Sequence, residues 1–186
     1  QAQADEMADL LVWADTRGIG SHGVMRIPRY IEMLRAGDVS AQAELEVVQA
    51  GGAVCTLEAN RAPGATAMNE AVRVAFRLAD ENGIGWCSVR QMSHSGAVGY
   101  FVEQLTRQGS IGIAMAASKP LMGYFGAKGV ALSTNPLAIG VPMPQGQPPI
   151  ILDMSTAAVA LGKLMAAKQA DSEIPIGWGI DADGAD

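Results

Sequence analysis

The chain contains 186 residues, of which 49% are hydrophobic and 17% are charged, and its formal net charge is −6. This composition predicts a globular domain with a hydrophobic core and excludes a disordered chain. The acidic balance and the lack of a Lys/Arg cluster argue against a nucleic acid or an anionic membrane as partner, and no apolar run is long enough to predict a membrane-spanning helix.

Hydrophobic periodicity predicts helices and strands that alternate along the chain. The predicted helices cover residues 4–14, 28–37, 64–82, 97–108 and 156–168, and the predicted strands cover residues 44–48, 54–58, 84–89, 111–116, 137–141 and 150–152. Gly51-Gly52 is a predicted hairpin turn, and Gly37, Gly83 and Gly109 are predicted helix stops. The alternation favours an α/β or α+β domain with a mixed sheet.

The two cysteines, Cys55 and Cys87, lie in separate apolar runs. Buried, unpaired cysteines are typical of a reducing compartment, and no secretory signal opens the chain. The sequence therefore predicts a cytoplasmic protein without disulfides.

Only two histidines occur, and both have a serine before them and a glycine close behind: Gly20-Ser21-His22-Gly23 and Met92-Ser93-His94-Ser95-Gly96. Imidazole titrates near neutral pH, so it is the usual proton donor or acceptor in catalysis. The repeated pattern favours an acid–base site, and the alternative is two histidines satisfied in turns.

Residues 18–23 match the dinucleotide-binding pattern G-x-G-x-x-G. That motif requires a strand before it and a helix after it, whereas here it follows a predicted helix. We therefore interpret these glycines as shaping a loop around Ser21 and His22.

Arg26 and Tyr30 follow His22 at four-residue intervals. If the segment is helical, the two side chains share one face towards the histidine loop, where a guanidinium would bind a small carboxylic acid. The alternative is that Arg26 pairs with Glu32 on the surface.

Two further polar positions follow predicted strands, where sites gather in α/β proteins. Ser118 comes after the run 111–116, and Asp153 comes after Ile150-Ile151-Leu152. Asp153 is expected to cap the next helix, or else to bond a ribose hydroxyl or an active-site imidazole.

Two other chemistries have weaker support. No metal-ligand spacing surrounds the histidines, and there is no G-x-S-x-G elbow of a serine hydrolase. Ser21 and Ser93 adjoin histidines, but side chains adjacent in sequence rarely face each other as a nucleophile and a base must.

Five blocks resemble the signature of the non-Rossmann malate/L-lactate dehydrogenase family, which includes ureidoglycolate and sulfolactate dehydrogenases, diketogulonate reductase and a cyclic-imine carboxylate reductase. The blocks are ADTRGIGSHGVMRIPRY (14–30), MSHSGAVGYF (92–101), LSTNPLAIGVP (132–142), IILDMSTAAVALGK (150–163) and IPIGWGIDADG (174–184). The resemblance implies a homodimeric oxidoreductase that uses NAD or NADP to interconvert a 2-hydroxy acid and a 2-oxo acid. It also implies a non-Rossmann nucleotide-binding fold, with a helical segment at 1–40 that holds the substrate loop and a sheet domain at 41–186 that binds NAD(P).

The resemblance also implies roles for individual residues. His94 is the first candidate for the proton donor or acceptor, and His22 is the second. The expected substrate pocket contains Ser21, Arg26 and Tyr30, and the expected cofactor contacts are Ser118, Leu152, Asp153, Met154 and Ser155.

This sequence departs from the family pattern in two ways. Ser95 stands where family members often have an aromatic residue, which bears on the size of the pocket. The chain also corresponds to about half of a family member, so we expect a missing first helix and a missing C-terminal part with a glycine-lysine cofactor segment. The alternative hypothesis is a truncated fragment or remnant without catalysis.

Overall fold

The computed structural model describes residues 1–124, 128–159 and 161–181. The α-helices in these residues are α1 (Ala2–Thr16), α2 (Ile27–Ala36), α3 (Gly64–Asn82), α4 (Gly99–Thr106) and α5 (Leu161–Gln169). The strands are β1 (Glu46–Gly51), β2 (Val54–Glu58), β3 (Trp86–Arg90), β4 (Gly112–Met115), β5 (Leu137–Val141) and β6 (Ile150–Met154). None of the helices in these ranges is both long and apolar enough to cross a membrane.

The strands form two three-stranded sheets. In the first sheet β2 pairs with β1 in antiparallel and with β3 in parallel orientation, and α3 makes the crossover between β2 and β3. The second sheet, β4-β5-β6, is antiparallel throughout. The predicted mixed sheet is thus confirmed for the first sheet, and the second adds an antiparallel one.

The helix boundaries follow the glycine signals. Helix α3 covers the predicted residues 64–82 and ends where Gly83 adopts a left-handed conformation with φ +79°. Gly37 ends α2 in the same way, with φ +75°. A residue with a Cβ is strained in this conformation, so glycine is favoured at both stops.

Two predicted helix starts are wrong. Helix α5 begins at Leu161 rather than Thr156, because the Thr156 hydroxyl donates to loop carbonyls of Thr134 and Asn135 instead of continuing a helix. Helix α4 begins at Gly99 rather than residue 97, and the Gly99 N–H donates to the Asp153 carboxylate at 2.8 Å.

A hydrophobic core joins α1 to α3 and α4. Leu10 and Trp13 of α1 pack against Met68 and Val72 of α3 and against Phe101 of α4. Burial of this apolar surface fixes the end of α1, and therefore the loop that follows it, against the sheet-bearing part of the chain. The division into a segment at 1–40 and a domain at 41–186 stays a prediction.

A buried carboxylate strengthens the same contact. Glu103 of α4 is only 6% exposed, and it accepts hydrogen bonds from Nε1 of Trp13, from Nη2 of Arg17 at 2.8 and 2.9 Å, and from Arg107 at 3.3 Å. The Arg17 guanidinium also lies 4.2 Å from the centre of the Trp13 ring. One side chain of α4 thus holds the C-terminal end of α1.

We predict that Glu103→Ala lowers the free energy of unfolding by about 2–4 kcal/mol, because it leaves the Trp13 N–H and the Arg17 cation without their buried acceptor. Denaturant unfolding measures this loss. The control is Glu32→Ala, which removes an exposed pair with Arg29 and should cost no more than about 1 kcal/mol. Equal losses in the two variants would show that the buried cluster adds nothing special.

Candidate active site

The structure brings the two histidines together. His22 lies in a short 3-10 turn, Gly20–His22, directly after α1, and His94 lies in the loop between β3 and α4. Their rings are stacked, with 5.4 Å between centroids and an interplanar angle of 23°. The two histidines therefore form one cluster rather than two separate turns, although His22 also contacts the serine of its own turn. The two serine-histidine motifs thus lie at one place in the fold.

Tyr30 reaches this pair from α2. A 2.8 Å hydrogen bond joins its hydroxyl to Nδ1 of His94, and the two rings are 6.0 Å apart. The spacing predicted that Tyr30 faces the histidine loop around residue 22, and the structure shows that its direct partner is the other histidine.

Ser21 contacts the neighbouring imidazole, so the expectation that adjacent side chains do not meet is wrong here. Its hydroxyl lies 2.9 Å from Nδ1 of His22. Both residues lie in the Gly20–His22 turn, where the serine hydroxyl contacts the ring of the next residue. Each histidine therefore has a hydroxyl at Nδ1, which leaves its Nε2 for another partner.

Arg26 belongs to the site and does not pair with Glu32. Its Nε donates to the Ser21 carbonyl at 2.6 Å, whereas Glu32 pairs with Arg29. Among the described residues no acceptor bonds the two terminal nitrogens of Arg26. A guanidinium held by its Nε and open at its end is suited to bind a carboxylate through two parallel hydrogen bonds.

The glycine pattern at residues 18–23 does not form a dinucleotide-binding turn. It follows α1, and it leads through the Gly20–His22 turn into a second 3-10 turn, Val24–Arg26. Residues 1–17, all of which the structure describes, contain no strand. The interpretation of these glycines as a loop around Ser21 and His22 is therefore confirmed.

Both imidazoles are shifted towards their neutral forms. Burial and, to a smaller extent, the positive charge of Arg26 together lower the pKa of His22 from 6.5 to about 4. Desolvation by its neighbours, then His22 and then Arg26 lower the pKa of His94 to about 4.

The residues expected to contact a cofactor lie on and around the second sheet. Leu152 and Met154 point to its outer face and are 41% and 47% exposed. Ser118 is exposed, and its backbone N–H is held by the hydroxyl of Ser133 at 3.0 Å. The hydroxyl of Ser155 donates to the Ala157 carbonyl at 3.2 Å.

The Asp153 carboxylate contacts helix α4. It does not cap the helix that follows it, since its Oδ2 accepts the N–H of Gly99 at the start of α4. Burial raises the pKa of its carboxyl, and the Gly99 hydrogen bond opposes that rise. It faces a cavity of about 450 Å³, which neither histidine lines; the lining residues are Trp13, Arg17, Ile19, Glu103, Pro148, Pro149, Ile151 and Asp153.

Two glycines near the site were not recognised from the sequence. A Cβ at Gly162, in the first turn of α5, would lie 3.3 Å from Cβ of Ser21, which places α5 beside the His22 loop. Gly64, at the start of α3, lies against the backbone of His94. The sequence holds 22 glycines, and no local signal separates these two from the rest.

The fold and these groups define an α/β protein in which two histidines, an arginine and a tyrosine meet at one candidate site. The malate/L-lactate dehydrogenase family matches residues 1–186. The chain belongs to this family.

Three relatives show the extent of the similarity. The chain is 36% identical to a ureidoglycolate dehydrogenase (NAD(+)) of Escherichia coli O157:H7, over 98% of this chain and 52% of the relative. It is 34% identical to a (2R)-3-sulfolactate dehydrogenase (NADP(+)) of Chromohalobacter salexigens, over 98% and 54%. The solved sulfolactate dehydrogenase of Methanocaldococcus jannaschii superposes with a TM-score of 0.89 at 33% identity, over 99% and 53%. The chain thus spans about half the length of these relatives.

We predict that both histidines titrate below 6.5 in the ligand-free protein, because their surroundings and the Arg26 charge favour the neutral rings. Imidazole ¹⁵N chemical shifts, followed from neutral pH to acid, measure both pKa values. The variant Arg26→Met should raise both values, whereas Arg29→Met should leave them unchanged, since Arg29 is exposed and paired with Glu32. Two ordinary pKa values in the unmodified protein would contradict the described geometry.

Proposed function

We propose that the protein is an NAD(P)-dependent oxidoreductase that interconverts a 2-hydroxy acid and a 2-oxo acid, with malate-like or lactate-like substrates. The single observation that carries this proposal is the stacked His22–His94 pair with Arg26 and Tyr30 around it. The site holds a carboxylate-binding cation next to groups that exchange protons, which are the two requirements of this reaction. The family membership and the dehydrogenase names of the relatives support it.

Arg26 binds the substrate carboxylate in this proposal. Its Nε is already bonded to the Ser21 carbonyl, so its side chain is preorganised and loses little freedom when an anion binds. Fixing the carboxylate fixes the neighbouring carbon that carries the hydroxyl or oxo group. Arg26 therefore positions the reacting carbon beside the imidazoles.

His94 exchanges the proton with the substrate oxygen, and His22 is the second candidate. A neutral imidazole, which the low pKa favours, is the form that accepts the proton when a hydroxy acid is oxidised. When the oxo acid is reduced, the ring must instead be protonated and donate its proton to the substrate oxygen. A bound carboxylate neutralises Arg26 and thus raises the histidine pKa, so anion binding charges the acid.

Tyr30 orients His94 rather than supplying the proton. Burial raises the pKa of the Tyr30 phenol, and the Arg26 charge opposes that rise. The phenol therefore stays protonated at neutral pH. Its hydrogen bond to Nδ1 directs Nε2 of the ring towards the substrate.

The outer face of the second sheet fits a nicotinamide cofactor. Leu152 is in register with Ile139, and Ile139 with Ile113, so a row of apolar side chains crosses the sheet. An aromatic ring binds to such a surface, and the exposed Ser118 offers a hydroxyl at its rim. In this proposal the cofactor would be held by Ser118, Leu152, Asp153, Met154 and Ser155. Asp153 would act indirectly, since its carboxylate bonds β6 to the start of α4. When bound, NAD(P) supplies or accepts the hydride.

The proposal also includes a non-Rossmann nucleotide-binding fold, a homodimer and a cytoplasmic location. The G-x-G-x-x-G segment lies outside any strand–helix unit, which supports the first point. Ile27, Ile31 and Leu34 form an exposed apolar stripe on α2, which supports the second. Both cysteines are free thiols, which agrees with a reducing compartment.

We predict that the natural polypeptide carrying these residues oxidises NADH or NADPH in the presence of a 2-oxo acid. His94→Ala should lower kcat roughly a hundredfold or more, the usual contribution of a general acid. Absorbance of the reduced cofactor measures turnover over a panel of 2-oxo acids, with His22→Ala alongside. Loss of turnover in one variant that still binds cofactor identifies the acid. Absence of turnover with every acid, by a folded protein, would favour the non-catalytic alternative.

A second prediction concerns the carboxylate. Arg26→Lys should raise KM for the 2-oxo acid by about tenfold or more and change kcat less, because an ammonium cannot replace the two-pronged guanidinium contact. Steady-state kinetics measure both constants. Arg29→Lys, on the exposed side of α2, is the matched control and should leave KM unchanged. An unchanged KM in Arg26→Lys would remove Arg26 from the substrate site.

A further inference from the structure

Gly64 lies where no side chain has room. It is the first residue of α3, and a Cβ built on it would lie 1.9 Å from the carbonyl oxygen and 2.6 Å from the carbonyl carbon of His94. The same Cβ would lie 3.0 Å from Cα of Ser95. All three atoms belong to the backbone, so no rotamer change can relieve the overlap. The requirement for glycine at this position comes from the close approach of two chain segments.

Ser93 links the same two segments, the loop of His94 and the start of α3, by hydrogen bonds. Its hydroxyl accepts the N–H of Gly64 at 2.8 Å, and its own N–H donates to the Ala62 carbonyl at 3.2 Å. The first of these bonds satisfies one of the N–H groups that the start of a helix leaves unpaired. The residue before His94 is thus fixed to the residues that begin α3.

This arrangement differs from the one around the other histidine. Ser21 bonds the imidazole of His22 directly, whereas Ser93 bonds the backbone of Gly64 and leaves the His94 ring to Tyr30. The two Ser-His pairs are alike in sequence and differ in what the serine does.

We propose that Gly64 and Ser93 are positioning residues for His94. Gly64 lets the first turn of α3 lie against the His94 carbonyl, and Ser93 closes that contact with a hydrogen bond. Together they hold the backbone so that Nδ1 meets Tyr30 and the ring stacks on His22. The role in catalysis rests on the proposed function of His94, but the positioning itself does not.

The test begins with Gly64→Ala. The added methyl must displace the His94 backbone, so the Tyr30 hydrogen bond and the ring stacking should be lost. The chain has only two histidines, so their ring signals are easily assigned in ¹⁵N NMR spectra. In Gly64→Ala the His94 signals should shift, and the pKa of His94 should rise towards 6.5. In the active protein kcat should fall by about a hundredfold at little change in KM, because Arg26 stays in place.

The matched control is Gly51→Ala. Gly51 ends β1, and a Cβ there meets no atom within 4 Å, so the same added methyl should leave the ring signals and kcat unchanged. Ser93→Ala, which removes the acceptor of the Gly64 N–H, should shift the His94 signals in the same direction as Gly64→Ala. Ser93→Thr keeps the hydroxyl and should restore them.

Unchanged His94 signals in folded Gly64→Ala would overturn the proposal, and so would equal spectra for Ser93→Ala and Ser93→Thr. If Gly64→Ala does not fold, the comparison of Ser93→Ala with Ser93→Thr tests the proposal by itself. The ring spectra need no turnover, so they test the positioning even if no 2-oxo acid is reduced. Shifted rings with unchanged kcat would instead refute the catalytic role of His94.

Discussion

The stacking of His22 on His94 can persist only while at most one of the rings is charged. Two imidazolium cations 5.4 Å apart, with Arg26 beside them, would repel one another in a partly desolvated site. The ligand-free site therefore keeps its rings neutral and carries its charge on Arg26. An anion changes this balance, because it neutralises the guanidinium and favours a proton on one ring. In the proposed function, substrate binding and acid strength are thus coupled through Arg26 and the two rings.

The site depends on contacts made far from it. The histidines reside on separate loops, and their distance from each other is set by the packing of α1 on α3 and α4. Glu103 fixes the last turn of α1 to α4, and the loop with His22 begins directly after that turn. A change in this core would therefore move one ring against the other without touching either. The hydrogen bonds of Glu103 to Trp13 and Arg17 therefore affect the site only by fixing the position of the backbone that carries His22.

Sequence patterns predicted local structure well and long-range contacts poorly. The bounds of α3, β2 and β5 follow from periodicity and glycine stops, which act within a few residues. The direction of Tyr30 followed from helical spacing, but its partner His94 lies on another element. The contact of Asp153 with α4 was missed because Gly99 lies 54 residues away in the sequence, beyond the reach of a local pattern. Gly64 escaped notice because its constraint is spatial: it is not a glycine of positive φ, and the atoms that crowd it belong to His94 and Ser95, which are distant in the sequence.

Side chains along β6 alternate between the inner and the outer face of the second sheet, and the two sets have different roles. Ile151 and Asp153 point inward, where Ile151 packs against the core around Val98 and Val102 and Asp153 holds the first N–H of α4. Leu152 and Met154 point outward to the exposed face. Substitution at an inward position disturbs the start of α4, and with it the loop of His94 that leads into the helix. Substitution at an outward position changes only the surface on which we place the cofactor. Substitutions at neighbouring residues of this motif should therefore have different effects. Those at inward positions should disturb the fold, and those at outward positions should weaken cofactor binding.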